Sequence, residues 1–372
     1  MPLWIRSSEL SRWTDRIGTK TAIWTTVLAL GALPLWAQEK PRDPVLLLVP
    51  VLGYSPETSW MLGLSGMYQS SWTAQRPPQS VYVVSFYTLR KQFLSSIYWD
   101  APLPTRQLYV QVGAGFERFP DRFYGLGRTT QAEDYEKYTP ERFYFQGWVG
   151  RSLGKGFRAG PLWELSAHRL IETDPAGKLA SGAVLGTERG TLVGIGLFLE
   201  RDTRDHPTSP ISGGWYRAEW LPFPALLGSD YAHARWRVRL RRYLQVGQRG
   251  TVALQAEVEA ATGKVPFHAL PKLGGSERLR GYWAGRFRDR RLYLVQAELR
   301  RYRLWGPLGG TFFVGVGDVA PDWNRLSLRK ARWSFGVGVR ALLDAEASSH
   351  LRLDYAIGSD ERGFYVNFGE AF

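Results

Sequence analysis

The side chains best suited to catalysis are few and dispersed. The five histidines, His168, His206, His233, His268 and His350, are scattered along the chain, and it contains no cysteine. No Gly-x-Ser-x-Gly elbow, His-Glu-x-x-His pair or phosphate-binding loop occurs. Without cysteine there is no thiolate metal site and no disulfide framework. No catalytic residue, metal or cofactor is therefore expected. A hydrolase reading would have to rest on His168 or His233. The chemistry is concentrated instead in one stretch, Gly274 to Arg291, which is rich in glycine and arginine and lacks any hydrophobic period. A loop of this length is uncommon and is usually functional.

The elements around that stretch repeat with a period of two. Strands are expected at Val45–Tyr54, Thr58–Gln69, Ser80–Leu89, Gln92–Ala101, Arg106–Arg118, Glu141–Arg151, Phe157–Ile171 and Thr187–Arg201. They continue at Gly214–Leu221, Asp230–Leu244, Thr251–Thr262, Arg291–Leu304, Leu308–Val319, Ala331–Leu342, His350–Gly358 and Gly363–Phe372. That makes about sixteen, each of the length a tilted membrane strand requires. Trp333, Phe335, Val337 and Val339 share one face of their strand, and Ser334, Gly336, Gly338 and Arg340 share the other. Trp236, Val238 and Leu240 likewise oppose Arg235, Arg237, Arg239 and Arg241. An arginine on a lipid face near the midplane costs several kcal/mol, so the arginine and glutamate faces must point inward. A soluble sandwich would usually have shorter strands and would hardly need so many small residues on its wet face.

The composition agrees with an all-β, transmembrane antiparallel β-barrel in which Gly274–Arg291 folds into the lumen. The 18 Tyr, 16 Trp and 18 Phe can supply interfacial girdles. A mean hydropathy of -0.26 is too polar for a helical membrane protein. The formal charge of +14 would suit nucleic acid, but the arginines recur at alternate strand positions rather than in a basic patch, and no nucleic-acid partner is expected. Basic residues before the apolar run Thr21–Ala37 predict a signal peptide over 1–37. A short periplasmic lead, 38–44, and the barrel, 45–372, follow. The longer connections come after odd-numbered strands, with Asp202–Gly213 the exception, which places them on the outer surface. The alternation up to Phe372 is similar to the C-terminal insertion signal of outer-membrane barrels, carried by Phe364, Val366, Phe368 and Phe372. Glu370 departs from that pattern.

Leu279-Arg280-Gly281-Tyr282, between the eleventh and twelfth strands, makes the chain resemble the BamA/TamA (bacterial surface antigen) family of outer-membrane barrels. Further matches are Asp202-Thr203-Arg204-Asp205-His206-Pro207…Pro210-Ile211-Ser212-Gly213, Gly336-Val337-Gly338-Val339-Arg340 and Leu351-Arg352-Leu353-Asp354-Tyr355-Ala356. The resemblance covers most of 190–372. It implies that the sixth outer loop docks in the lumen through Arg280, with Glu298 as partner. Alternation independently turns Glu298 inward. The family's second acid falls at Gly315 here, so Asp318 or Asp354 is expected to replace it. No POTRA domain is read, so a barrel-only member is expected.

The resemblance implies a barrel that assists protein or lipid insertion or translocation. The partners it implies are outer-membrane lipid, lipopolysaccharide, the outer-membrane insertion machinery and a client protein or lipid. The alternative is a passive, porin-like channel or structural surface barrel.

Overall fold

A β-sheet in hydrocarbon must satisfy every backbone group internally, and closure into a barrel is the way a sheet does so. The computed structural model describes residues 44–70, 79–103, 107–206, 209–344 and 349–372. The expected signal peptide and all but Pro44 of the lead lie outside the described residues, as does part of the Asp202–Gly213 motif. Nineteen strand segments are present, three of them only two or three residues long. The other sixteen form the barrel. They are β1 (Val45–Ser55), β2 (Ser59–Gln69), β3 (Ser80–Thr88), β4 (Phe93–Pro102), β5 (Leu108–Arg118), β6 (Glu136–Gly154), β7 (Phe157–Thr173) and β8 (Gly190–Asp202). The circuit continues with β9 (Gly213–Phe223), β10 (His233–Val246), β11 (Gly250–Gly263), β12 (Arg291–Trp305), β13 (Leu308–Ala320), β14 (Arg332–Asp344), β15 (Ser349–Gly358) and β16 (Arg362–Phe368).

Each strand pairs antiparallel with the next, and β1 meets β16 to close the circuit. The closing ladder is short. Among the described residues its register is one pair, Tyr54↔Val366, whereas β1 and β2 align from Val45↔Gln69 to Ser55↔Ser59. No α-helix occurs among the described residues, and no helix is long and apolar enough to cross a membrane, which says nothing of strands.

Alternation sorts the side chains as expected. Trp333, Phe335, Val337 and Val339 are exposed on the outer wall, while Ser334 and Arg340 are buried within. Arg235, Arg237, Arg239 and Arg241 are likewise buried. The ion pairs Arg237–Glu259 (2.7 Å), Arg235–Glu164 (2.7 Å) and Arg217–Glu200 (3.0 Å) line the lumen. A buried charge needs this pairing, because an isolated ion in a low-dielectric interior costs several kcal/mol.

Two expected boundaries move by four residues or more. Residues 119–140 read as a polar loop, yet β6 begins at Glu136 and its first residues pair with a short strand, Asp121–Phe123. Pro140 has no N–H to donate to a ladder. Here it falls at a register shift between Thr139 and Pro140, where a missing donor is tolerated. The last strand stops at Phe368 instead of Phe372. Gly369 takes φ +70°, a left-handed conformation open to glycine, and the chain then turns into the lumen. Phe372 and Ala371 pack there against Tyr243 and Ala253.

Candidate functional site: the lumen loop and the seam

The β11–β12 connection enters the barrel from the end that carries the longer loops. A two-pair ladder, Lys272↔Arg288 and Leu273↔Phe287, forms its neck. Beyond the neck the chain turns tightly, with Gly275 N–H donating to the Tyr282 carbonyl at 2.9 Å. Gly281 has φ +107°, and a Cβ there would fall 2.9 Å from Gly358 N. The backbone of the loop thus lies directly against the wall. Leu273, Leu279, Tyr282 and Phe287 form an apolar cluster with Leu292, Leu294 and Val319.

The four residues of the motif have distinct contacts. Leu279 N–H donates to Gln296 Oε1 at 2.8 Å. Arg280 donates to Glu298 on β12 and, at 2.6 Å, to Asp354 Oδ2 on β15. Its guanidinium lies over the Phe313 ring, 3.5 Å from the centroid, an attractive position for a cation. Gly281 N–H donates to the Tyr365 hydroxyl on β16 at 3.0 Å. The Tyr282 hydroxyl donates to the Trp333 carbonyl at 2.9 Å and accepts from Ser359 N–H at 2.8 Å.

Asp318 is not in this cluster. It accepts from Arg128 and from Ser327 N–H (2.8 Å). Its position has the opposite parity from Phe313 and Gly315, so it turns away from the loop. The space opposite Gly315 is occupied by Leu279, whose Cδ1 lies 3.2 Å from where a Cβ would stand. Phe364 is exposed on the outer face of β16 and Phe372 is buried. Phe368 ends the strand, paired with Leu351. Glu370 forms ion pairs with Arg340 (2.8 Å) and Arg300 (3.5 Å). Of the histidines considered for hydrolysis, His168 lies against His268 with the rings tilted by 56° and 3.6 Å between centroids, and His233 stacks on Phe223 at 4.3 Å.

Several contacts had no reading in advance. Arg278 bridges Glu257 (2.6 Å) and Glu259 (2.5 Å) on β11. Alternation along Thr251–Thr262, with Val252, Leu254, Ala256 and Val258 on the other face, turns both acids inward but does not name their partner. Ala284 N–H donates to Glu57 Oε1 (2.7 Å) in the β1–β2 turn. Trp283 N–H donates to Glu361 Oε2 (2.8 Å), and Arg286 Nε to Glu361 Oε1 (2.6 Å), in the β15–β16 turn. Burial raises the Glu57 carboxyl to about 7. It raises Glu361 too, against the hydrogen bond from Trp283 N–H and the nearby Arg286. The same few loop residues therefore hold the strand before the seam and the strand after it.

A closed sixteen-strand barrel with a lumen-docked Arg-Gly-Tyr loop defines a transmembrane β-barrel of the outer-membrane type. The model of the Omp85 superfamily domain matches residues 89–372, and the chain belongs to that superfamily. Among solved structures it is similar to a BamA from Haemophilus ducreyi that lacks POTRA domains 1–3. That match has a TM-score of 0.64 and 11% identity and covers 89% of this chain and 71% of the other. It is also similar to CdiB from Escherichia coli (TM-score 0.60, 10% identity, 91% and 64% covered). CdiB from Acinetobacter baumannii gives a TM-score of 0.57 and 11% identity over 88% and 60%. The chain thus spans less than two thirds of either CdiB. No curated protein sequence matches it.

Proposed function

We propose that this barrel assists a client protein or lipid into or across the outer membrane by parting between β1 and β16, with the lumen loop as the latch of that seam. The observation that carries the reading is the closing ladder of one register pair. Barrel strands ordinarily pair along their length, since unpaired backbone in hydrocarbon costs several kcal/mol per group. Here most of the β1 edge lies outside the ladder with β16 among the described residues. The loop compensates from within, bonding Glu57 on one side and Glu361 and Tyr365 on the other.

In this reading the termini face the periplasm after signal-peptide removal and the loop end faces outward. Outward Phe364 and Val366 carry recognition by the insertion machinery, and lipopolysaccharide surrounds the loop end. The work is mechanical rather than enzymatic. The competing reading, a passive channel plugged by the loop, predicts conductance that rises when 274–288 is deleted, with no effect of locking the seam. A disulfide across β1 and β16 separates the two.

A further inference from the structure

Alternation places every second residue of a barrel strand against lipid, where an apolar side chain is the rule. Toward the end that carries the short turns, β6, β8, β10 and β12 break that rule in the same way. Arg151, Arg201, Arg242 and Arg301 are all exposed, and each continues the outward face of its strand. None of the four lies within ion-pair distance of a described carboxylate, unlike the inward Arg235, Arg237 and Arg239, which pair with Glu164, Glu259 and Glu219. Arg201 instead covers the Phe157 ring at 5.1 Å. Arg249 and Arg303 add exposed positive charge beside them.

Arg242 is set back from the end of its strand. It lies between Leu240 and Leu244, both exposed to lipid, and β10 continues to Val246. Four residues of tilted strand correspond to roughly 10 Å of depth, within reach of an arginine that extends toward the headgroups. The Tyr216 hydroxyl lies over Gly214, the cross-strand partner of Arg242. A phenol and a guanidinium at one level are typical of the interface, where amphipathic rings settle.

A groove in the outer wall begins at Arg242 and runs past Leu240, Leu254, Ala256, Val295 and Ala297. Its floor is set by register. Leu240 pairs with Ala256, which pairs with Val295, and Leu254 pairs with Ala297. Two alanines among larger neighbours leave a channel about as wide as a side chain.

We propose that this wall holds an anionic phospholipid, its phosphate on Arg242 between the flanking charges of Arg201 and Arg301, and one acyl chain along the Ala256–Ala297 groove. A lipid suits both halves of the site. The guanidinium provides charge-assisted donors for phosphate oxygens, and the groove offers mainly apolar surface. The site needs the barrel in a lipid environment but not an opening seam, so a barrel locked by a disulfide across β1 and β16 binds the same lipid.

The test uses the full barrel in neutral detergent, titrated with dioleoyl-phosphatidylglycerol, dioleoyl-phosphatidylcholine or inorganic phosphate. Retained lipid is read by native mass spectrometry and folding by heat-modifiable gel mobility. Selective retention of phosphatidylglycerol is expected. Arg242→Gln weakens it about fivefold, the effect of one basic side chain at an anionic surface, and Arg242→Lys restores most of it. Ala256→Leu, which fills the groove, weakens retention with the arginines intact. Equal retention of the two lipids would overturn the proposal. So would unchanged binding to folded Arg242→Gln, or displacement of the lipid by inorganic phosphate at equal concentration. If Arg242→Gln does not fold, Ala256→Leu and the Arg201→Gln/Arg301→Gln pair decide in the same way.

Discussion

Arg280 and Asp354 lie 2.6 Å apart, one on a loop that enters the barrel from its outer end and the other on the wall strand β15. Glu298, two residues before Arg300 on β12, holds the other arm of the same guanidinium. Arg340 pairs with Asp354 at 2.6 Å and Arg300 with Glu298 at 2.8 Å. The loop is thus one member of an ionic cluster that ties four elements together. Removing one partner of a buried pair leaves a charge without compensation and costs about 3–5 kcal/mol.

Arg280→Ala is expected to undock the loop and expose Arg278 and Arg286 to trypsin added from the loop end. Glu298→Ala and Asp354→Ala should give the same cleavage pattern. Each double variant with Arg280→Ala should be no worse than the single one, because one interaction is being removed twice. Additive cleavage rates would show that the acids and the arginine act separately.

Gly358 gives a steric test of the same contact. A Cβ at Gly358 would fall within the Tyr282 ring. Gly358→Ala should therefore lift the loop even with every ion pair intact, and Tyr282→Leu in that background should restore part of the protection. The measurement is again trypsin cleavage at the loop arginines, with barrel folding followed by gel mobility.

Docking should depend on pH through the turns. Glu57 titrates at about 7 when docked, raised by burial from an ordinary value of 4.5. A carboxyl with a raised pKa favours the docked state in its protonated form. The contribution is therefore full below about 4.5 and is lost as pH rises through about 7. Glu361 shifts in the same direction. Protection of the loop should weaken from pH 5 to pH 8, and Glu57→Gln should flatten most of that change. An unaltered slope in Glu57→Gln would assign the dependence elsewhere.

The acid at 370, where an apolar residue is usual in the insertion signal, has a structural role. It answers Arg300 and Arg340 and accepts from the Tyr302 hydroxyl at 3.2 Å. Glu370→Leu would match the usual pattern yet leave two buried arginines short of a carboxylate. Lowered thermal stability in detergent is expected, with about 3 kcal/mol or more lost. A more stable variant would mean that the tail does not lie in the lumen.

The strands were legible because a lipid-facing and a lumen-facing row impose the same period on every segment, and parity alone turned Glu298 inward. The Arg280–Asp354 contact was harder to read. It depends on how far β15 lies around the wall from β12, which the spacing of 74 residues between the partners does not encode. Asp318 was plausible by distance along the chain and excluded by parity. The start of β6 at Glu136 lay among polar residues ahead of Pro140, whose missing donor is absorbed by a register shift. Glu57 and Glu361 sit in turns, where no period exists to show which way a side chain points. The turn at Gly369 was hidden by continued alternation to Phe372.

The central claim is that the seam opens. Tyr54 and Val366 face each other directly, and antiparallel partners lie within the Cα range a disulfide spans. The natural chain has no cysteine, so Tyr54→Cys/Val366→Cys gives a single, reversible lock. The measurement is the rate at which an unfolded outer-membrane barrel client inserts into liposomes containing this protein. The account predicts acceleration when the pair is reduced and loss of that acceleration when it is oxidised, with the barrel folded in both states. Equal acceleration in the two states, or none in either, would contradict it.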